Sequence, residues 1–388
     1  MRPTARLVGI FASSLLFIPT IFAQTNPPAK DPNEFVTRDS HIVTKQSERD
    51  TAVALLQAAR QKNDLRDLTT PYSIKASFET SGATQLEGKG TYEELSEGDS
   101  RRWTAKLGDY EITRIANGTH TYSTNPTEAI PLRIQTVRAA MLSPIPQNFD
   151  PGTMREATVK RDGKTILCVL GSGRIGDYPP PRAWTESEDC VDTATGLLQM
   201  WSEAPGVFAL YNYEGAKDFH GHMLPSEISI YQEGHLTMSL HLGVPEDLPE
   251  LDPNLLTPTQ EMIDAGEAVV LGMPNRFPLH VMPSDAPASS YFQPVIVHAI
   301  LDADDGTVID AEPIQNYDPE LTKAAMELIS NSAFPSMGFQ RDVYINVEFH
   351  LPAGSTPGRV VIRTPVRWRI IDRDVRVVEP RRPRRVTK

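Results

Sequence analysis

The chain of 388 residues contains two cysteines and a single long apolar run. The run covers residues 7–22 and is 16 residues long, whereas a helix needs about 20 apolar residues to cross the hydrocarbon layer of a membrane. No later run in the sequence is long enough to span a bilayer. Since Cys168 and Cys190 do not form a CxxC pair, the sequence does not predict dithiol redox chemistry.

Sequence signatures of catalysis and of cofactor binding are also missing. The chain has no Gly-x-Ser-x-Gly nucleophile motif and no complete phosphate-binding loop motif. His220 and His222 are the one close pair among nine histidines, and no cysteine or carboxylate cluster adjoins them to complete a metal site. We therefore predict no enzyme activity, no metal and no cofactor. The alternative is an exported hydrolase that uses Ser172 or the His220/His222 pair.

The formal net charge of −12 is unevenly distributed along the chain. Residues 359–388 hold ten arginines, one lysine and three acidic residues, so this segment carries +8 and the rest of the chain −20. An acidic body argues against nucleic acid as a partner, because it repels phosphates. The basic tail, residues 353–388, is either a solvated disordered segment or a contact for anionic lipid, cell wall or an acidic protein through its arginine run at 381–385.

The first 23 residues have the order of a secretory signal peptide. Arg2 and Arg6 precede the apolar run, Ala23 is a small residue at its end, and polar residues follow at once. Pro19 weakens a continuous membrane helix. We therefore expect cleavage after residue 23 and a periplasmic location. A retained leader would instead anchor the chain in the inner membrane.

Export determines how the two cysteines are interpreted. In an oxidising compartment, Cys168 and Cys190 are expected to form a disulfide. Closing a segment of this length stabilises the fold by roughly 3 kcal/mol on the loop-entropy estimate. The alternative is a pair of buried free thiols.

The remaining pattern predicts an α+β protein with two folded parts. A helix is expected to start near Ser47, and Tyr72, Ile74 and Phe78 then alternate with polar residues, the period of a strand with one buried face. Asn117-Gly118 predicts one of several tight hairpins that follow. The predicted organisation is a polar tether at 24–45, a β-rich domain at 46–245, a proline-rich linker at 246–287 and a small C-terminal domain at 288–352.

Four short motifs follow one another in the C-terminal domain. They are Asp305-Gly306-Thr307-Val308-Ile309-Asp310-Ala311 at a hairpin, Ala324-Ala325 in a helix, Phe334-Pro335 after it, and Val347-Glu348-Phe349 in the last strand. In this order, residues 290–351 resemble the C-terminal domain of TonB-type energy transducers. The resemblance implies a small α+β domain with an exposed sheet edge.

Domains of that family bind a receptor segment by adding it as a strand to the exposed edge. Carried onto this sequence, the binding strand is the last one, with Val343, Tyr344, Ile345, Asn346, Val347 and Phe349 as binding residues. The implied partner is an envelope protein or the peptide segment of an outer-membrane receptor. We therefore expect a periplasmic envelope binding protein associated with TonB-type transport.

The β-rich domain carries a second resemblance. Gly88-Lys89-Gly90-Thr91-Tyr92 and Thr195-Gly196-Leu197-Leu198, together with an N-terminal helix followed by a series of strands, resemble LolA-like lipoprotein carriers over residues 47–244. The resemblance implies a curved, half-barrel-like sheet whose apolar face can hold an acyl chain. A lipid or lipoprotein carrier is thus the alternative function, unless the protein's own helices fill that face.

Overall fold

The computed structural model describes residues 40–82, 86–142, 144–145, 149, 151–172, 186–202, 207–232, 235–268, 275–283, 291–315, 319–351 and 368–378. All of them belong to one compact unit, Pro32–Lys388. The predicted leader, most of the predicted tether and the arginine run at 381–385 lie outside the described residues. Within the described ranges, every helix is too short or too polar to cross a membrane.

The fold is α+β, with four α-helices and two main β-sheets in the described part of the chain. The first helix begins at Gln46, one residue before the predicted Ser47, and its Leu56 and Ala59 are fully buried as the apolar periodicity predicts. The helices are α1 (Gln46–Asn63), α2 (Leu132–Leu142), α3 (Gln260–Ala265) and α4 (Pro319–Ser330), and a 3₁₀ helix covers Pro253–Leu256.

The first sixteen strands build the large sheet, except for one separate two-stranded pair. They are β1 (His41–Ile42), β2 (Tyr72–Thr80), β3 (Gly88–Glu97), β4 (Ser100–Leu107), β5 (Tyr110–Asn117), β6 (His120–Ser123), β7 (Thr153–Arg161), β8 (Lys164–Ser172), β9 (Glu186–Asp192), β10 (Leu198–Ser202), β11 (Val207–Asn212), β12 (Asp218–Phe219), β13 (His222–Met223), β14 (Glu227–Gln232), β15 (His235–Leu242) and β16 (Glu246–Asp247).

The large sheet is an open, antiparallel sheet of 14 strands. Its order is β1-β7-β8-β9-β10-β11-β14-β15-β2-β3-β4-β5-β6, with β16 paired to β2, while β12 and β13 pair with each other. Most neighbours in the sheet are consecutive in the chain. One example is the predicted hairpin at Asn117-Gly118, which pairs Asn117 with His120. The pairings between the most distant segments of the chain are those of β2 with β15 and with β16.

Helices α1 and α2 cover the apolar face of the large sheet. Leu56 of α1 and Val137 of α2 share one hydrophobic core with strand residues such as Ile74. The hydroxyl of Tyr211 donates a hydrogen bond of 2.8 Å to the main-chain oxygen of Ala140, which fixes α2 against β11. The protein's own helices therefore occupy the face that a carrier would offer to an acyl chain.

The predicted disulfide is present between Cys168 and Cys190. The two residues are directly opposite each other on β8 and β9. Both are fully buried, in a small cluster with Ile166, Met200 and Phe208. The bond ties two neighbouring strands of the large sheet together.

The remaining strands build a second, five-stranded sheet and one further pair. The five-stranded sheet has the order β19-β18-β21-β17-β22, and β20 pairs with β23. Within it, β17 and β21 are parallel, and the other pairs are antiparallel. The strands are β17 (Asn275–Pro283), β18 (Tyr291–Leu301), β19 (Val308–Gln315), β20 (Ser332–Ala333), β21 (Arg341–Leu351), β22 (Trp368–Ile370) and β23 (Arg376–Val377).

One face of the small sheet packs under α4. Leu321, Ala325 and Ile329 of α4 form a hydrophobic core with alternate strand residues such as Val297 and Ile345. The stripe has the spacing of three and four residues that places apolar side chains on one face of a helix. The turn between β18 and β19 was predicted. Its acidic residues serve the turn, because Asp302 accepts a hydrogen bond of 2.8 Å from the main-chain N–H of Asp304.

The predicted linker is largely folded. Residues 275–283 form β17, a strand with neighbours on both sides, and Leu279 and Val281 are fully buried beneath α4. The linker also contains α3, whose Met262 is buried. The segment was predicted to be a linker because its many prolines are typical of linkers, and they outweighed the short alternation of apolar residues that indicates a strand.

The predicted tether and basic tail also contain ordered parts. His41 and Ile42, assigned to the tether, pair with β7 at one end of the large sheet. In the tail, β22 pairs with β17, and Val375 is buried in the core of the small sheet. Both segments therefore contribute to the fold, although their composition is polar or basic.

A buried ion pair joins α2 to the small sheet. The guanidinium Nε of Arg133 lies 2.9 Å from Oε1 of Glu312, and both side chains are almost inaccessible. Gln232 at the end of β14 accepts from Arg133 (3.0 Å) and donates to Glu312 (2.7 Å). Burial raises the pKa of Glu312, and the charge of Arg133 opposes that rise. These three residues hold the two sheets in a fixed relation.

Candidate functional site

The strand predicted to bind a partner lies inside the small sheet. Along one edge β21 pairs with β18, from Tyr291 opposite Leu351 to Leu301 opposite Arg341. Along its other edge it pairs with β17, in parallel register from Val343 to Phe349. The predicted exposed edge is therefore wrong for this strand, because the protein's own chain covers both of its edges.

The side chains of the predicted binding residues are also inaccessible. Four of the six side chains face α4 and belong to the core of the small sheet. The other two are buried on the opposite face of the sheet. The strand pattern was recognised correctly, but the partner strand β17 was assigned to the linker. The core residues are Val343, Ile345, Val347 and Phe349, and the two residues on the opposite face are Tyr344 and Asn346.

Strand β19 is one of the two end strands of the small sheet, and β22 is the other. In the part of the chain that the structure describes, β18 is the one strand neighbour of β19. Pro313 within it has no N–H to offer to a further strand. Residues 308–310, at the opposite end of the strand, border an open cleft of about 620 Å³, which we call the edge cleft. Thr307, just before the strand, also lines the cleft and is bridged to Ala333 of β20.

The edge cleft has one wall from each sheet region. The wall from the small-sheet region carries the outer part of β19, and the facing wall comes from β5 and from the segment that precedes α2. The main-chain N–H of Ala129 donates a hydrogen bond to Oε1 of Gln340 and links the two walls. The lining residues are Leu86, Tyr110, Glu128, Ala129, Pro131, Ile300, Asp302, Thr307, Val308, Ile309, Asp310, Ser330, Gln340 and Val378.

Two polar groups of the edge cleft are buried without a hydrogen-bond partner among the described residues. They are the hydroxyl of Tyr110 and Oδ1 of Asp310. Burial raises the pKa of Tyr110 to about 12. Burial also raises the pKa of Asp310, while hydrogen bonds from the main-chain N–H groups of Leu132 and Ala311 oppose that rise. An unsatisfied buried polar atom is costly, so both groups would gain from a ligand that supplies hydrogen bonds.

The structure separates the residues of the hydrolase alternative. His220 lies 2.6 Å from Oδ1 of Asp247, on the surface. His222 lies across the β12–β13 pair, opposite Phe219. Ser172 ends β8, directly opposite Glu186. The absence of catalytic function stays a prediction.

The cleft residues were missed by reasoning from the sequence. Tyr110 is an ordinary aromatic at the start of a strand, and Asp310 is part of a hairpin motif. Nothing in their local pattern indicates that β5 and β19, about 200 residues apart, lie on facing walls. Asp310 alone carried a local signal, because an acidic residue between apolar neighbours in a strand is unusual and is typical of a strand at the edge of a sheet.

Comparison with known proteins gives a limited result. No protein-family model matches the chain, and no curated protein matches it. A LolA superfamily protein from Nitrosomonas europaea has a similar structure, with a TM-score of 0.34 and 12% identity over 53% of this chain and 97% of that chain. The MucA/MucB complex of Pseudomonas aeruginosa gives a TM-score of 0.25 and 12% identity over 67% of this chain and 74% of that chain.

Both TM-scores are below 0.5, and both identities are 12%. At such scores the matches assign no function, so any function has to be argued from the geometry of this chain.

Proposed function

We propose that this chain is an exported envelope protein that binds an extended segment of a partner protein in the edge cleft. The observation that carries the proposal is the position of β19, an end strand whose residues 308–310 border an open cleft. End strands offer main-chain hydrogen bonds to an added segment, and side-chain pockets beside them give specificity. The mode of binding expected from the sequence is retained, and its location moves from β21 to β19.

The length of the usable edge restricts the ligand. Pro313 and the buried Glu312 at one end, and the bridge from Thr307 to Ala333 at the other, limit strand addition to Val308–Ala311. A ligand would therefore pair over a few residues and place its side chains against Tyr110 and Asp310. Association with TonB-type transport is the narrower form of this proposal, and it requires the partner to be a receptor segment.

Export is part of the same proposal. It is supported by the order of the first 23 residues and by the Cys168–Cys190 disulfide, a bond that persists in oxidising compartments. The packing of α1 and α2 on the large sheet favours a protein ligand over a lipid. A lipid or lipoprotein carrier stays the alternative function, and mass spectrometry of the purified protein would reveal a stoichiometric bound lipid.

Site-specific photocrosslinking tests the proposal in cells. A benzophenone amino acid in place of Val308 in the edge cleft should give a discrete adduct with an envelope protein. The matched control places the same amino acid at Thr158, an exposed position on β7 near the opposite end of the large sheet. Tyr110→Phe and Asp310→Asn should weaken the adduct at position 308. The same adduct at both positions, or none at position 308, would contradict the proposal.

A further inference from the structure

Three potential metal ligands meet on the face of the small sheet that lies opposite α4. His280 is on β17, and Glu348 and His350 are two residues apart on β21. Because β17 and β21 are parallel, with His280 directly beside Glu348, all three side chains lie on one face. Seventy residues separate the two histidines in the sequence.

The ligand atoms of these residues converge. Nδ1 of His280 lies 3.1 Å from Oε2 of Glu348 and 3.3 Å from Nε2 of His350. All three atoms lie within 4.8 Å of one another. The imidazole rings are tilted by 57°, with centroids 5.5 Å apart, so they do not stack face to face.

Two groups converge on one ring nitrogen. Oε2 of Glu348 and Nε2 of His350 both lie within hydrogen-bonding distance of Nδ1 of His280, and the tautomers of the two rings decide which nitrogen donates. A cation between the three groups would use the lone pairs of all of them at once. We propose that His280, Glu348 and His350 bind a divalent transition-metal ion of the zinc class.

The spacing fits such an ion. With metal–nitrogen distances of about 2.0–2.1 Å, neighbouring ligand atoms of a tetrahedral zinc site lie about 3.3 Å apart. Two of the three separations, 3.1 and 3.3 Å, match that edge length, and the third is at most 4.8 Å. Two imidazoles and one carboxylate favour zinc, cobalt or nickel over calcium or magnesium, which prefer sites made of oxygen ligands.

A neighbouring residue orients the carboxylate. Nδ2 of Asn346, which is buried, donates a hydrogen bond of 3.0 Å to Oε1 of Glu348. This bond fixes the carboxylate group and leaves Oε2 directed toward the histidines. Supporting hydrogen bonds of this kind are typical of metal ligands, because they hold the ligand in its binding orientation.

The site is open to solvent on one side. The side chain of His280 is 42% exposed, and that of Glu348 is 18% exposed. Three protein ligands with access to water leave a coordination position for water or for a donor from another molecule. The bound ion would connect β17 to β21 and stabilise the parallel pair. This role is independent of the edge cleft and of the proposed partner.

Cobalt and zinc titrations of the full chain, without a histidine tag, test the site. Co²⁺ should give a saturable visible absorption from one bound ion, and Zn²⁺ should displace it. His280→Ala, His350→Ala and Glu348→Gln should each weaken binding by at least about tenfold. His235→Ala, an exposed histidine at the start of β15, is the matched control and should bind like the wild type.

Thermal unfolding provides a second measurement that does not depend on absorption. Zn²⁺ should raise the unfolding temperature of the wild type and of His235→Ala, but not that of Glu348→Gln, which keeps the shape of the side chain. If an alanine variant fails to fold, Glu348→Gln decides the outcome. The proposal is overturned if the wild type shows no saturable binding, or if Glu348→Gln binds and responds to Zn²⁺ like the wild type.

Discussion

The large and small sheets are assembled in different ways. The large sheet adds mostly consecutive strands in hairpins, and helices from the same part of the chain cover its apolar face. The small sheet combines one hairpin with β17, β21 and β22, which are far apart in the sequence. One of its faces packs under α4. On the other face, Glu312 of β19 is buried against Arg133 of α2, whereas His280 of β17 is partly exposed to solvent.

This difference separates structural packing from candidate chemistry. The large sheet buries its apolar face against its own helices, whereas the small sheet brings polar groups from distant segments together. Its end strand β19 borders the edge cleft, and its open face carries His280, Glu348 and His350. Both candidate sites therefore lie on parts of the small sheet that the helices of the described chain leave open to solvent.

The largest effect is expected where the two sheets are joined. Arg133→Ala should lower the free energy of unfolding by about 3–5 kcal/mol, because it leaves Glu312 buried without its counter-charge. Urea denaturation measures this loss. Lys106→Ala, which breaks an exposed pair with Glu111 on the large sheet, is the control and should cost less than about 1 kcal/mol. Equal costs for the two variants would show that the buried pair does not join the sheets.

The disulfide is the next largest contribution, and it acts on the large sheet alone. Replacing both Cys168 and Cys190 by alanine should cost about 3 kcal/mol, since the unfolded chain regains the freedom of the closed loop. A reducing agent should lower the denaturation midpoint of the wild type and leave that of the double variant unchanged. A wild type insensitive to reduction would refute this prediction.

Substitutions at two turn glycines, one in each sheet, compare how tightly the turns of the two sheets are packed. A side chain at Gly306, in the turn of the small sheet, would place Cβ 1.8 Å from the main-chain oxygen of Phe334. Gly98, in a hairpin of the large sheet, has open space around it, and both glycines have positive φ. Gly306→Ala should therefore cost more than about 2 kcal/mol, and Gly98→Ala about 1 kcal/mol from backbone strain alone. Similar denaturation midpoints for the two variants would contradict this difference.

The smallest effect is the pH dependence contributed by Asp310. Because burial raises its pKa above 3.8, its contribution to stability is fully present below that value and is lost as the pH rises through the folded-state pKa. The stability of the wild type relative to Asp310→Asn should thus decline between acid and neutral pH. Urea denaturation of both proteins over this range measures the difference, and a constant or rising difference would contradict the assignment.

Local signals predicted much of the fold. Asn117-Gly118 predicted a hairpin, Ala324-Ala325 was placed in a helix that is α4, and the two cysteines predicted the disulfide. Each of these depends on residues close in sequence, or on the chemistry of one residue type. The overall α+β class followed from local signals of this kind as well.

The positions of the candidate sites could not be predicted in this way. The interpretation of β21 as an exposed strand failed because β17 lies in a segment whose prolines resemble a linker. For the same reason, His280 was not associated with His350, and no metal ligand set was recognised. Parallel pairing between distant segments leaves no local pattern, so the edge cleft and the histidine cluster became visible in three dimensions only.

The central place of β21 has a consequence for the order in which the molecule can fold. Strands β17 and β18 do not pair with each other, and each pairs with β21, which is synthesised about 40 residues after β18 ends. Until that late segment arrives, both earlier strands expose unpaired main-chain groups. A nascent chain would therefore keep two unpaired strand edges open until β21 has been made, and a chaperone would protect it during that interval.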